Sequence, residues 1–245
     1  METIKKILTT KEGKTFYIKD VTQDFHCQFG LIKKSDLKKK DGSIIKTNTG
    51  KELTIFSPSF IDNYYRIKRG AQIITRKDIG TIIAETGINK NSKVVDAGAG
   101  SGALACFLAN ICKEVTTYDI RDDFIKIVEQ NKEFLNLKNL KIKNKNIYEG
   151  IEETNIDLIT LDLPEPWKAI ETAQKALKVG GFLVSYSPTI PQTMDFVNAV
   201  NKNKNFIHVK TVELIQREWE IEERKVRPIT TQTVHTGFLS FVRRI

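Results

Sequence analysis

Between Ser92 and Lys202 the chain alternates short β-branched runs with longer amphipathic ones, and this rhythm restricts the fold more than any other feature. "SKVVDAG" (92–98), "EVTTYDI" (114–120), "NLKIKNKNI" (139–147), "NIDLITLDL" (155–163) and "GGFLVSYSP" (180–188) read as strands. "ALACFLANIC" (103–112), "DDFIKIVEQNKEFL" (122–135), "WKAIETAQKAL" (167–177) and "TMDFVNAVNK" (193–202) read as helices, the second with Phe124, Ile127, Val128 and Leu135 as its apolar positions. Strands that alternate with helices imply a mostly parallel sheet covered on both faces. The tail departs from this. "FIHVKTVELIQREWEI" (206–221) and "TVHTGFLSFVRRI" (233–245) are strand-like with no helix between them, which predicts an antiparallel pair at one side of the sheet.

The first 57 residues have another texture: "KKILTT", "TFYIKD", "SIIKT" and "LTIF" separated by the turn signals "KEGK" and "NTGK". They predict a small β-domain, followed by a connecting helix in "SFIDNYYRIKRG" with Ser59 as its cap and Gly70 at its end. The expected domains are residues 1–64 and 65–245. The net charge of +9 concentrates in the N-terminal segment, residues 1–70. Residues 1–70 hold 15 Lys and Arg against 8 Asp and Glu, with Lys33, Lys34, Lys38, Lys39 and Lys40 clustered, whereas residues 71–245 hold 24 against 22. Such a cluster is either a solvated loop or a face for a polyanion.

With 40% apolar residues and no apolar run of membrane-spanning length, the 245-residue chain is expected to be a folded cytoplasmic protein without a membrane partner. Cys27, Cys106 and Cys112 show no CxxC spacing, and His26, His208 and His235 form no ligand pattern, so neither disulfides nor a metal is expected.

Three glycines, Gly98, Gly100 and Gly102, lie in "VVDAGAGSGA" between a strand and a helix, where they allow a tight turn and close approach of a nucleotide-type ligand. The same letters satisfy the dinucleotide pattern GxGxx(G/A). Two carboxylates favour another ligand. Asp96, two residues before the first glycine, would repel a pyrophosphate but attract the sulfonium and ammonium groups of S-adenosylmethionine. Asp119, about 20 residues on at the end of the next strand, is placed to accept hydrogen bonds from ribose hydroxyls. A third acid, Asp162, opens "DLPEPW", in which Pro164 and Pro166 stiffen the turn and Trp167 offers an aromatic surface for packing or for a base.

Taken in order and spacing, "VVDAGAGSGAL", "TYDIR", "LDLPEPW", "YSPTIPQ" and "RPITTQTVHTGFL" resemble the tRNA (adenine-58-N1)-methyltransferase family, as does "AQIITRKD" upstream. The resemblance covers about residues 65–245, with DxPxPW and the HTG tail its most specific parts. It implies a Rossmann-like class I S-adenosylmethionine-dependent methyltransferase with a small N-terminal β-domain for RNA binding or assembly. It further implies S-adenosylhomocysteine as product, tRNA as partner and a homotetramer. By matching positions, Gln72, Ile73, Asp96, Gly98, Gly100, Ser101, Gly102, Ala103, Asp119, Ile120 and Asp162 would bind the cofactor. Asn146 stands where the family often has an acid near the adenine amino group. Asp162 would be catalytic, accepting a hydrogen bond from the N6 amino group of a flipped adenine. Pro164, Trp167, Tyr186 and Arg227 would meet the RNA, with Pro188, Thr189 and Gln192 as a further pocket wall; Tyr186 reads equally well as core and His235 as a buried, satisfied histidine.

Other classes predict other behaviour. A metabolite methyltransferase shares the glycine loop but needs no basic domain, a dehydrogenase rests on GxGxxA alone, and a non-catalytic RNA-binding subunit has no use for Asp162.

Overall fold

The computed structural model describes every residue except Met1, Ala71, Gln232 and Val234, so the strand-like run 233–245 falls partly outside the described residues. The chain divides into two compact units, 1–67 with 133–136, and 68–132 with 137–245. The first runs to Ile67 and includes Glu133–Asn136, the end of a helix and the turn after it.

In the first unit, β1 (Lys6–Thr9), β2 (Thr15–Ile18), β3 (Phe25–Cys27), β4 (Gly30–Ile32), β5 (Ile44–Lys46) and β6 (Glu52–Phe56) precede the short helix α1 (Phe60–Tyr64). Four strands form an antiparallel sheet in the order β2-β1-β6-β5, while β3 and β4 pair as a separate hairpin. Strand alternation turns Leu8, Ile18, Leu53 and Ile55 inward, where they pack with Ile32, Leu37 and Ile45. The connecting helix is shorter than expected. Asp62 Oδ2 accepts from the Ser59 backbone N–H at 2.7 Å, which fixes its start, but it closes at Tyr64, well before Gly70.

The second unit contains α2 (Arg76–Thr86), β7 (Lys93–Ala97), α3 (Ala103–Ala109), β8 (Glu114–Asp119), α4 (Asp122–Phe134), β9 (Leu140–Asn144), β10 (Ile156–Leu161), α5 (Ile170–Ala176), β11 (Leu177–Ser187), α6 (Ile190–Asn201), β12 (Phe206–Glu213), β13 (Trp219–Glu222), β14 (Lys225–Pro228) and β15 (Phe238–Arg244). Seven strands form one sheet, β12-β15-β11-β10-β7-β8-β9. The five from β11 to β9 are parallel, and β15 runs antiparallel between β11 and β12. Because helices cover both faces, the central strands are buried throughout, as in β7, where Val94, Val95, Asp96 and Ala97 are all inaccessible. The tail pairing is therefore β12 with β15. The expected long strand 206–221 breaks after Glu213, and its end, β13, pairs instead with β14 in a separate hairpin.

From β7 the chain winds outward through β8 and β9, then returns to place β10 on the other side of β7. That reversal opens a crevice at the carboxyl ends of β7 and β10, where open α/β sheets bind their ligands. Cys106 and Cys112 lie in the core, and burial pushes their thiols up to about 12 and about 11, leaving them unreactive at neutral pH.

Candidate active site

Parallel register puts Thr160, Asp96 and Thr117 side by side on β10, β7 and β8. Each threonine hydroxyl donates to one oxygen of the Asp96 carboxylate at 2.7 Å. Asp96 is nevertheless fully buried, and desolvation, with a smaller push from Asp119, raises it to about 6 against the lowering effect of the threonines. One strand-residue later the chain turns at Gly98, with φ +87°, and Gly100 and Gly102 also take positive φ. The turn leaves no room for a side chain at Gly98, since a Cβ there would stand 2.0 Å from the Asp162 carbonyl oxygen. Asp162 in turn donates its backbone N–H to the Ala97 carbonyl at 2.8 Å, so the ends of β7 and β10 are locked together.

Two cavities meet at this lock. The larger, about 270 Å³, is lined by Gly98, Asp119, Ile120, Asn146, Asp162 and Pro164 among others. The smaller, about 20 Å³, is bounded by Gln72, Ile73, Asp96, Gly98, Gly100, Ser101, Ala103 and Asp162. Gly98 and Asp162 belong to both. Asp119 accepts hydrogen bonds from the backbone N–H groups of Gly100 and Arg121, each at 3.0 Å. Ile120 stands 68% exposed at the rim, an apolar surface that nothing in this chain's core uses. The Asn146 amide oxygen caps the turn Ile147–Glu149 by accepting from the Tyr148 N–H at 3.0 Å, leaving one acceptor lone pair.

The Asp162 carboxylate has no hydrogen-bond or ion-pair partner among the described residues, and burial together with Asp96 and Asp119 pushes it up to about 7. Acids crowded without a counter-charge suit a cationic ligand. Two adjoining cavities, the larger with an apolar rim at Ile120 and both reaching the carboxylate of Asp162, suit S-adenosylmethionine, whose adenine is flat and whose methionine end carries the positive charges. Among the described residues, no group of three or more His, Cys, Asp or Glu is placed to hold a metal ion.

Other expected site residues sit apart from the cavities. Gly102 lies behind the turn, packed against Val128. Trp167 is half-buried against the core around Ile170 and Ala173. The Tyr186 hydroxyl donates to the Thr236 carbonyl, and its ring faces Gly237. Arg227 is on β14, paired at 2.9 Å with Glu220 of β13. His235 is exposed rather than buried, its Nδ1 at 2.5 Å from Glu213 Oε1 and its Nε2 at 3.0 Å from the Pro188 carbonyl.

Several residues that shape the site are not marked as such by the sequence. Thr117 and Thr160 hold Asp96, and their only local signal is polarity inside an apolar strand. Gln192, expected in the pocket wall, instead donates its side-chain amide to the carbonyls of Leu163 at 2.8 Å and Pro164 at 2.9 Å, clamping the turn that follows Asp162. Asn131 joins the Lys68 backbone to the Ser101 carbonyl, and so ties the glycine turn to the segment before it.

Sheet order, glycine turn and divided cavity define a class I S-adenosylmethionine-dependent methyltransferase. The family described as "tRNA methyltransferase complex GCD14 subunit" matches residues 65–232. The tRNA (adenine(57)-N(1)/adenine(58)-N(1))-methyltransferase TrmI of Methanocaldococcus jannaschii is 34% identical, in a match spanning 97% of this chain and 94% of the relative. The chain belongs to the tRNA (adenine-N1)-methyltransferase family. Among solved structures, an S-adenosylmethionine-dependent O-methyltransferase from Thermotoga maritima has a TM-score of 0.84 at 28% identity, over 100% of this chain and 94% of that one. The tRNA (m1A58) methyltransferase TrmI from Aquifex aeolicus has a TM-score of 0.80 at 26% identity, over 100% and 98%.

Proposed function

We propose that this enzyme methylates N1 of adenine 58 in the tRNA T-loop, and of adenine 57 as in the name of the archaeal relative, with Asp162 as its catalytic residue. The observation that carries this reading is the Asp162 carboxylate, unpartnered among the described residues and common to both cavities. S-adenosylmethionine, when bound, supplies a methyl group on a cationic sulfur and leaves as S-adenosylhomocysteine. Asp119, Ile120 and Asn146 would hold its adenosine end; Gln72, Ile73, Asp96 and the turn Gly98–Ala103 its methionine end. The chemistry at the base asks for an acceptor. Adenine N1 becomes part of a cationic ring when methylated, and a carboxylate that accepts a hydrogen bond from the N6 amino group raises electron density at N1 and offsets that charge. The turn clamped by Gln192 keeps the carboxylate in place, and Pro164 walls the same cavity. Trp167 and Tyr186 would meet the RNA near this wall, Trp167 from beside the Ile170 core and Tyr186 from beside Thr236.

The tRNA itself would meet the exposed lysines of the first unit and Arg227. Lys34, Lys38 and Lys40 are exposed and have no ion-pair partner among the described residues, which leaves their charge for phosphate. Trp219, Ile221 and Val226 of the β13–β14 hairpin are each more than half exposed, a surface suited to assembly as a homotetramer. Among the described residues no helix is long and apolar enough to cross a membrane, and we place the enzyme in the cytoplasm with its tRNA.

The test is nucleoside mass spectrometry on an unmodified tRNA transcript incubated with S-adenosylmethionine and native protein or Asp162→Ala. We expect 1-methyladenosine in the T-loop with native protein and a loss of about 100-fold or more with the variant. Native protein that binds the cofactor but methylates no adenosine would remove the RNA substrate from this reading.

A further inference from the structure

His235–Gly237, part of the most specific stretch of the family resemblance, lines neither cavity of the cofactor site. Its contacts lead there indirectly. The Thr236 hydroxyl donates to Asp78 Oδ2 at 2.9 Å and accepts from Lys77 Nζ at 2.6 Å. Asp78 is wholly buried, and its remaining side-chain partners among the described residues are Lys77 Nζ, 2.8 Å from Oδ1, and the Thr75 hydroxyl, 2.8 Å from Oδ2. A buried carboxylate survives only when its oxygens are satisfied, so these four side chains stand or fall as one arrangement. Thr75 directly follows Gln72–Ile74, the segment that lines the smaller cavity. The other end of that segment is tied as well, by the Gly70 N–H donating to the Ser101 hydroxyl at 2.8 Å. On its opposite side, Thr236 uses its carbonyl to accept from Tyr186, whose ring lies so close to Gly237 that a Cβ there would stand 2.6 Å away.

We propose that Thr236 is a positioning residue for the methyl-transfer site. Through Asp78 and Thr75 its hydroxyl fixes Gln72–Ile74 along the methionine side of the cofactor, and so sets cofactor affinity without touching the cofactor. This rests on the cofactor placement proposed above. It assigns the conformation of a cavity wall to a residue far away in the chain, 158 positions from Asp78 and 159 from Lys77.

Thr236→Val keeps the shape of the side chain and deletes its hydroxyl, whereas Thr236→Ser retains the hydroxyl. Calorimetric titration with S-adenosylmethionine, without tRNA, gives the dissociation constant, and a thermal melt of the cofactor-free protein gives stability. We expect Thr236→Val to weaken S-adenosylmethionine binding about tenfold and Thr236→Ser to stay within about twofold of native, as loss and retention of a hydrogen bond to a charged group require. Thr75→Val breaks the same arrangement from the other side and carries the test alone if Thr236→Val does not fold. The double variant should bind no more than about twofold worse than the weaker single, because coupled residues do not add. A Thr236→Val protein that melts lower yet binds the cofactor like native would overturn the proposal and leave a purely structural residue. Effects of the two single variants that multiply would overturn it too. Native protein that binds no S-adenosylmethionine at all would instead bring down the cofactor placement, and this inference with it.

Discussion

Asp162 and Asp96 are each held well above the usual carboxylate range, at about 7 and about 6, and both shifts begin with desolvation. An unfolded aspartate titrates near 3.9, so between about 4 and about 7 the folded protein keeps protons that the unfolded chain has released. Stability from these groups therefore falls as pH rises through that window. His235 also loses its contribution with rising pH, because the Glu213 carboxylate and the Pro188 carbonyl raise its pKa, but that loss lies above its ordinary 6.5. Asp162→Asn isolates the first effect. Without cofactor, its melting temperature should gain on that of native protein between pH 5 and pH 8, and a difference that stays flat across the range would place the Asp162 titration elsewhere. Cofactor binding should run the other way. S-adenosylmethionine brings positive charge to the acids, so its affinity should climb with pH over the same window, while that of S-adenosylhomocysteine, with an uncharged sulfur, should climb less. Parallel titrations at four pH values read both.

At the scale of elements, the site depends on how α6 meets the end of β10. Gln192, in the first turn of α6, gives both amide hydrogens to the carbonyls of Leu163 and Pro164, and so holds the prolyl turn that presents Asp162. Gln192→Leu keeps most of the side-chain volume but frees the turn. Misplacing a catalytic group by about 1 Å can cost about 100-fold in rate, so methyl transfer should fall between about 10-fold and 100-fold. S-adenosylmethionine affinity should stay within about threefold, since the cofactor cavities are otherwise intact; single-turnover rates and titrations separate the two. The presence of Asp162 and its prolines was legible in the sequence, as were the strands of the parallel sheet, because strands buried on both faces must be apolar throughout. Partners across the sheet were not. Thr117 and Thr160 become the ligands of Asp96 only through parallel register, which no local pattern encodes. Likewise, Gln192 looks like a pocket wall until the fold aims it at two carbonyls. The run 206–221 reads as one strand because its residue types never change, yet β15 is only long enough to pair with the part up to Glu213. β3 and β4, of three residues each, are too short to show an alternation at all.

For the whole molecule, the charge of +9 falls almost equally on the two units, but the lysine cluster and the chemistry lie in different ones. The acids that would face the cofactor are in the second unit, whereas the lysine cluster is in the first, around a short 3-10 turn, Asp36–Lys38, anchored by the buried Leu37. That anchor fixes the backbone while Lys34, Lys38 and Lys40 remain in solvent. Lys33 and Lys39 already have Asp24 and Asp36 as partners, at 3.5 Å and 2.8 Å. If the free lysines bind tRNA phosphates, each neutralised phosphate releases condensed counterions, and the logarithm of affinity must fall with the logarithm of salt concentration. Replacing Lys34, Lys38 and Lys40 together by Ala should weaken tRNA binding and flatten that slope by roughly 0.7 to 0.9 for each phosphate left without its lysine. Cofactor affinity should not change, because the substitutions leave the second unit intact. Filter-binding titrations at several salt concentrations, on the native and triple-variant proteins, measure the slope directly. A triple variant with the native slope would make the cluster a solvated face, and would shift the search for the tRNA-binding surface to the second unit, beginning with Arg227 and the exposed hairpin around Trp219.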